Sequence, residues 1–248
     1  MKAAAAAACA AIAAAGLAGC HDRGAMAYKW DGSSVVCSRI VDDYEEPLHW
    51  TAIDQEMAAA EANGWAMLYH AHTPGQTVTR ETIEHLFDLA DRHHLAYVTF
   101  RELGIGPARP AIVFAFDDAA VDAWMSMRDV VRAHHATITL FVSRWFELGA
   151  AQKAELAQLA ADGDDVEPHT VNHLHAREYV AQHGLDAYIR DEVLPSVAVL
   201  TAAGYPPPAS FAYPFGDHSP EIDRAVLAAT GARTVRTTAS QCHPHAQP

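Results

Sequence analysis

The amino-acid sequence predicts an α/β protein whose parallel strands close into a (β/α) barrel. Short apolar segments alternate with helical segments along the chain, and polar residues directly follow several of the apolar segments. Strand–helix alternation indicates a parallel sheet that is covered on both faces or closed into a barrel. Functional groups at the carboxyl ends of the strands favour the barrel. Since no repeat or linker divides the chain, we predict one domain over residues 35–248.

The first half of this domain has well-marked boundaries. A helix is predicted from Trp50 to Asn63, because Asn63-Gly64 is a C-terminal stop signal. Thr79 is expected to cap a second helix, whose apolar residues recur every three to four positions. Strands are predicted at Val35–Val41, Trp65–His70, Leu95–Phe100 and Ala111–Phe116.

The second half repeats the alternation. Strands are predicted at Ala136–Val142, Asp165–Glu167, Ser210–Tyr213 and Ala232–Arg236. Helices are predicted at 121–133, Ala150–Ala161, Leu185–Ala203 and Glu221–Thr230. Pro195 is expected to kink the third of these helices, because proline lacks the amide hydrogen of a helical turn.

Residues 1–19 are typical of an export signal. A basic start precedes an alanine-rich apolar stretch that is too short to span a membrane. Leu17-Ala-Gly-Cys20 resembles a bacterial lipobox, so Cys20 would be lipidated and residues 20–34 would form a tether. We expect a membrane-anchored lipoprotein of the periplasm or outer membrane. The alternatives are a signal peptide cut elsewhere and a low-complexity alanine tail.

The net charge limits the class of substrate, and the cysteine count suggests a disulfide bond. The formal net charge of −14 becomes −15 without residues 1–19, because that segment contains one lysine and no acid. An acidic chain without a basic tract binds nucleic acid poorly, so a neutral or N-acetylated substrate fits better. Cys37 and Cys242 are left once the signal and lipid candidates are set aside. Export favours a disulfide between them over two unrelated thiols.

Asp117-Asp118, at the end of a predicted strand, and His169 with His173 indicate a metal site. One carboxylate could bind a metal with the two imidazoles while the other carboxylate holds a proton. This donor set leaves a coordination position open, as hydrolytic zinc sites do. With 16 histidines in 248 residues, the His-x3-His spacing is expected by chance, so its weight comes from its place after a strand.

Two further segments could carry chemistry. Tyr213-Pro-Phe-Gly216 is either a simple turn or a rigid loop whose Phe215 amide faces an oxyanion. His70 is either a structural histidine or the donor of a proton to a leaving amine. Asp42 and Asp43, which end the first strand, could hold His70 in the required tautomer.

Together these segments resemble the polysaccharide deacetylases, the NodB-homology carbohydrate esterases. The matching residues are Ala115-Phe-Asp117-Asp118, His169-Thr-Val-Asn-His173, Tyr213-Pro-Phe-Gly216 and Leu68-Tyr-His70. The resemblance implies a distorted (β/α) barrel of the NodB type. It implies Asp117 as base, His70 as acid, and Asp118, His169 and His173 as ligands of zinc, or of cobalt or nickel. Tyr213 and Phe215 would serve the oxyanion or the substrate.

The sequence departs from the family pattern in three places. Ala115 replaces the usual threonine, which is a minor change. Ala212 replaces an arginine that orients the base, so activity could be reduced or another residue could take over that role. The Leu-x-His segment, usually last, precedes Asp117-Asp118, so the chain looks circularly permuted.

We therefore expect a monomeric, metal-dependent hydrolase that removes N-acetyl groups from a chitin-, peptidoglycan- or poly-N-acetylglucosamine-like glycan. The replaced arginine keeps a second hypothesis open, a catalytically weak carbohydrate-binding lipoprotein on the same scaffold. O-acetyl esterase activity is a third possibility, because it would use the same machinery. Should His173 not be a ligand, His72 and His175 are the alternatives.

Overall fold

The computed structural model describes residues 27–28, 30, 32–43 and 48–241. The predicted signal peptide, Cys20 and Cys242 lie outside these residues, so the predictions about them stay predictions. No helix within the described part of the chain is both long enough and apolar enough to cross a membrane.

Seven parallel strands form the barrel, in the spatial order β7-β6-β5-β3-β2-β9-β8. Their bounds are β2 Val35–Ile40, β3 Ala66–Ala71, β5 Ala111–Asp118, β6 Thr139–Val142, β7 Asp165–Pro168, β8 Ser210–Ala212 and β9 Thr234–Thr238. Side-chain hydrogen bonds link the outer strands β7 and β8. Glu167 accepts from the Ala209 amide at 3.0 Å, and His169 Nδ1 lies 2.8 Å from the Ala212 carbonyl oxygen. The sheet is thus a nearly closed barrel, and the predicted fold class is confirmed.

Helices surround the barrel, and most lie close to the predicted positions. The helix Ala176–His183 was not predicted, and the predicted helices at 121–133 and Leu185–Ala203 are each divided. The observed helices are α1 Trp50–Asn63, α2 Arg80–Arg92, α3 Val121–Met125, α4 Arg128–Ala133, α5 Ala150–Asp162, α6 Ala176–His183, α7 Leu185–Tyr188, α8 Leu194–Ala202 and α9 Pro220–Thr230. Thr79 caps α2 as predicted, because its side chain accepts a hydrogen bond from the Thr82 amide. A π-helical turn, Ile189–Val193, separates α7 from α8. Pro195, which cannot donate a helical hydrogen bond, is the second residue of α8.

Side chains along each strand point alternately into the barrel and towards the surrounding helices, so the core has an inner and an outer layer. Leu68 and Ala115 belong to an apolar cluster inside the barrel, whereas Tyr69 and Phe116 pack under the helices. Successive strand residues point to opposite faces, so residues two positions further along also face inward. His70 and Asp117 are therefore directed into the barrel near its carboxyl end.

The N-terminal boundary differs from the prediction. Ala27–Tyr28 forms a short strand, β1, that pairs antiparallel with β3, although we expected residues 20–34 to be a tether. Tyr28 is buried against the cluster inside the barrel, and Trp30 packs edge-on against its ring. The burial of an aromatic ring explains the extension, because it removes a large apolar area from water. A second short strand, β4 Ala96–Tyr97, pairs with β5 in place of the longer predicted Leu95–Phe100.

Candidate active site

The carboxyl ends of β5 and β7 carry residues with unusual backbone conformations. Asp118 has a φ of 90°, Thr170 of 68° and His173 of 59°, all in the region that non-glycine residues rarely occupy. Such strain is typical of functional sites, where the surrounding structure holds residues in conformations they would not otherwise prefer. In this barrel it turns the Asp118 and His173 side chains towards the same point.

Asp118, His169 and His173 form a compact group of three possible ligands. Their ligand atoms all lie within 4.8 Å of one another. Asp118 Oδ1 is 2.8 Å from His173 Nε2 and 3.6 Å from His169 Nε2. Burial acts to raise the pKa of Asp118, but hydrogen bonds from the two histidines outweigh it and hold the pKa far below 3.8. The carboxyl group is therefore ionised at neutral pH.

The orientation of His169 suits a metal ligand. Its Nδ1 faces the Ala212 carbonyl oxygen at 2.8 Å, which leaves Nε2 to point at Asp118. Burial lowers the pKa of His169, so its imidazole is neutral and able to bind a cation. A carboxylate oxygen and two imidazole nitrogens form a donor set that fits a zinc-type divalent ion.

Asp117 lies outside this group and is held by an arginine that sequence analysis missed. Arg236 on β9 donates through Nη2 to Asp117 Oδ2, and both residues are almost completely buried. Burial acts to raise the pKa of Asp117, but the charge of Arg236 outweighs it and lowers the pKa. Ala212 is paired with Arg236 in the register of β8 and β9, so the guanidinium comes from the neighbouring strand. The predicted strand Ala232–Arg236 contains two arginines, and only the observed bounds of β9, Thr234–Thr238, leave Arg236 as its one charged residue.

His70 lies beside Asp117, and Ser38 fixes its ring. Ser38 Oγ is 2.8 Å from His70 Nδ1, while Nε2 has no hydrogen-bond partner among the described residues. Burial lowers the pKa of His70 well below 6.5, and the charge of Arg236 adds to this effect. His70, His72 and Asp117 form a second group whose ligand atoms lie within 4.8 Å of one another. Tyr69, which alternates with His70, is fully buried under the helices.

The expectation that Asp42 or Asp43 holds His70 is wrong. Asp42 Oδ2 is 2.5 Å from His72 Nδ1, and Asp42 Oδ1 accepts from the His72 amide at 3.2 Å. Asp43 accepts from the Thr79 and Thr82 hydroxyls at the start of α2. Ile40, the last residue of β2, is paired with His70 on β3. Asp42 and Asp43 come after Ile40 and therefore lie level with residues that follow His70.

His72 consequently differs from His70 in charge. Burial acts to lower the pKa of His72, but the hydrogen bond to Asp42 and the charge of Asp117 outweigh it and raise the pKa to about 9. His72 is therefore protonated at neutral pH, whereas His70 is neutral.

The loop after β8 has one exposed aromatic residue. The Phe215 ring is half-exposed and stacks on His175, with ring centroids 3.9 Å apart. Phe215 has a φ of 57°, and a Cβ added to the next residue, Gly216, would lie 2.5 Å from Thr238 Oγ1. The close approach to β9 requires glycine at position 216 and fixes the Phe215 backbone beside His173.

Tyr213 does not serve the site as predicted. Its ring is buried in the cluster outside the barrel, and its amide donates to the Arg236 carbonyl oxygen at 3.0 Å. Neither its side chain nor its amide is free to contact a substrate. Its position next to the inward-facing Ala212 gives the reason, since neighbouring strand residues point to opposite faces.

The predicted alternatives to His173 lie outside the ligand group. His72 belongs to the second group, with His70 and Asp117. The His175 ring stacks on Phe215, and its Nδ1 is 3.9 Å from Asp217.

Comparison with known proteins agrees with this geometry. A sequence model of the polysaccharide deacetylase family matches residues 105–235, which is more than half of the chain. The match begins just before β5 and contains Asp117, Asp118, His169, His173 and Phe215. A search of curated protein sequences returns no match.

Solved structures share the fold at low sequence identity. IcaB from Ammonifex degensii aligns with a TM-score of 0.56 and 17% identity over 68% of this chain and 83% of that chain. A de-N-acetylase from Aggregatibacter actinomycetemcomitans aligns with a TM-score of 0.54 and 12% identity, over 85% of this chain and 96% of that chain. The deacetylase domain of BpsB from Bordetella bronchiseptica aligns with a TM-score of 0.50 and 13% identity, over 62% of this chain and 82% of that chain.

Proposed function

The chain belongs to the polysaccharide deacetylase family, and we propose that it is a metal-dependent enzyme that removes N-acetyl groups from an amino-sugar polysaccharide or oligosaccharide. The observation that carries the proposal is the meeting of two groups at one end of the barrel. Asp118, His169 and His173 present metal-ligand atoms, and Asp117, directly beside them, is held ionised by Arg236.

Asp118, His169 and His173 would hold the cation, for which zinc fits and cobalt or nickel are the other candidates. When bound, a divalent cation acts as a Lewis acid on the acetyl carbonyl and lowers the pKa of water. Asp117 would accept the proton of the attacking water, and Arg236 keeps this base ionised and fixed in position. The Phe215 amide is proposed to donate to the oxyanion that develops on the carbonyl oxygen.

His70 is proposed to return the proton to the leaving amine. Its Nε2 is buried, has no partner among the described residues, and lies near Asp117. Ser38 can donate to Nδ1, which would place the proton on Nε2. His72 competes for this role, because its raised pKa makes it the protonated histidine of the pair at neutral pH.

The proposed substrate is an acetylated glycan of the chitin, peptidoglycan or poly-N-acetylglucosamine type. An acidic chain suits a neutral polymer, and one similar structure is named a de-N-acetylase. O-acetyl esterase activity remains the second candidate, because Asp117 and the three ligand residues would serve it equally. Arg236 weakens the case for an inactive carbohydrate-binding lipoprotein, since it occupies the place of the arginine missing at position 212.

Two proposals concern the chain as a whole. The motif order supports circular permutation of the family pattern, because β3 with His70 pairs in parallel with β5, which carries Asp117 and Asp118. The sequence around Cys20 supports export as a lipoprotein anchored to the cell envelope.

The test is acetate release from chitooligosaccharides, peptidoglycan, poly-β-1,6-N-acetylglucosamine and acetylxylan after metal reconstitution. We expect release from at least one of the three amino-sugar substrates. Asp117→Asn should lower turnover by at least ~10²-fold, the usual contribution of a general base, with metal content unchanged. Release from acetylxylan alone would favour the esterase. Absence of release from every substrate would contradict the proposal.

A further inference from the structure

The residues on the inner side of Asp117 resemble a ligand set in their own right. His70 Nε2 and Asp117 Oδ1 are buried atoms without a hydrogen-bond partner in the described part of the chain. One ligand atom from each of His70, His72 and Asp117 lies within 4.8 Å of the other two. Two unpartnered polar atoms, both nearly inaccessible to water, point to a missing ligand at this place.

Strand geometry brings the three side chains together. His70 and His72 are two positions apart on an extended segment and therefore share a face, with ring centroids 5.7 Å apart. Ala71 is paired with Phe116 in the register of β3 and β5, so the next residues along, His72 and Asp117, follow side by side.

The remaining hydrogen bonds orient each donor towards the group. Ser38 contacts His70 Nδ1, Asp42 contacts His72 Nδ1, and Arg236 contacts Asp117 Oδ2. Ser38 Oγ can accept from Nδ1 as well as donate to it, and the tautomer with the proton on Nδ1 leaves His70 Nε2 open to an ion. Among the described residues no hydrogen bond occupies either Nε2 or Asp117 Oδ1. A carboxylate on the far nitrogen of a histidine, as Asp42 is placed on His72, is the usual support of a metal-binding histidine.

We propose that His70, His72 and Asp117 form a second, weaker divalent-cation site, distinct from Asp118, His169 and His173, which fills when metal is in excess and blocks the reaction. Two imidazoles and one carboxylate suit zinc or a similar ion. The Arg236 guanidinium next to Asp117 repels a cation, and an ion must also displace a proton from His72. Both effects make this site the weaker of the two. The blocking effect rests on the proposed function, because the ion would occupy the base and the proposed acid, whereas the binding itself does not.

The test measures bound metal directly, on the mature protein carrying one tightly held zinc per chain. Equilibrium dialysis against increasing zinc, followed by elemental analysis, should show a second ion per chain. His72→Ala, a change at a partly exposed residue, should remove the second ion and keep the first. Asp42→Asn should weaken the second site by about 10–100-fold, the usual effect of losing a carboxylate behind a ligand histidine. His183→Ala, at an exposed histidine on α6, is the matched control and should bind two ions.

One ion per chain at every zinc concentration would overturn the proposal, as would a second ion that His72→Ala retains. Wild-type deacetylation should fall as the second ion binds, and full activity at two ions per chain would overturn the blocking role. The outcomes separate the two proposals. A second bound ion, together with no activity on any substrate at one ion per chain, would support the site and contradict the proposed function. Activity in a protein that never binds more than one ion would do the reverse.

Discussion

Arg236 on β9 donates a hydrogen bond to Asp117 on β5 across the interior of the barrel. Two strands, β3 and β2, separate them in the sheet, so only closure of the sheet brings the two side chains into contact. Both residues are almost fully buried, which makes the pair sensitive to loss of either partner. Arg236, the residue paired with Ala212 on the next strand, is thus the arginine that contacts Asp117.

Removing Arg236 should destabilise the protein and inactivate it. We expect Arg236→Met to lower the free energy of unfolding by about 3–5 kcal/mol, because it leaves the Asp117 carboxylate buried and unpaired. Chemical denaturation measures this loss. Arg224→Met, at an exposed arginine on α9, is the control and should change stability by less than about 0.5 kcal/mol.

A rescue experiment tests whether position matters as well as charge. Ala212→Arg added to Arg236→Ala places a guanidinium on the neighbouring strand. We expect the double variant to recover part of the turnover that Arg236→Ala loses, measured as kcat for acetate release. A double variant no more active than the single one would contradict the idea that Arg236 does the work of the missing arginine.

Metal analysis of His173→Ala tests the first ligand group. Two remaining ligands hold a divalent ion poorly, so we expect the variant to lose its tightly held zinc during dialysis. His175→Ala is the control and should keep it, because the His175 ring stacks on Phe215 outside the group. Tightly bound zinc at one ion per chain in His173→Ala would rule out this ligand assignment.

Paired variants of His70 and His72 identify the proton donor. We expect His70→Ala to lower turnover by at least ~10²-fold with metal content unchanged. His72→Ala should cost less, because the His70 ring is oriented by Ser38 and does not depend on His72. The opposite ranking in kcat would move the role of donor to His72 and its partner Asp42.

Asp164 should give the protein a stability that falls with rising pH. Burial raises the pKa of this carboxyl group from 3.8 to about 7, although it accepts a hydrogen bond from the Ile138 amide. The folded state therefore binds more protons than the unfolded state between these two pH values, and stability declines across that window.

Asp164→Asn removes the buried charge and keeps an acceptor for the amide. We expect a gain of about 1–3 kcal/mol at pH 8, seen as a higher Tm, and almost none near pH 4. Asp88→Asn, at an exposed position on α2, provides the control. An equal effect of Asp164→Asn at both pH values would show that its charge is not the cause.

The cysteine prediction needs peptide mapping. Cys37 is buried on β2 and takes part in a disulfide bond, while its predicted partner Cys242 lies outside the described residues. Mass spectrometry of non-reduced, digested protein from the periplasm should find the two peptides linked. The chain-entropy model gives roughly 5 kcal/mol for a loop of about 200 residues, an upper figure in practice. A Cys37 peptide linked to any other cysteine would contradict the pairing.

The sequence alone determined the strand–helix alternation and part of the site. Thr79 at the start of α2 and Gly64 at the end of α1 are local signals, because a helix cap involves residues only a few positions apart. Asp118 and His169 could also be placed at strand ends from local sequence, because each closely follows a short segment that was predicted as a strand. Parallel strands carry their functional residues to one edge, so strand-end positions already indicated a common site.

Only the tertiary structure decided which side chains support that site. Arg236 and Asp117 are 119 residues apart, and Ser38 and His70 are 32 apart, so no local pattern links either pair. Their contacts depend on the register between strands and on closure of the barrel, which sets the residues that face each other across its interior. The same register gives Asp42 to His72 instead of His70, because Ile40 is the residue paired with His70 and Asp42 lies two positions further along.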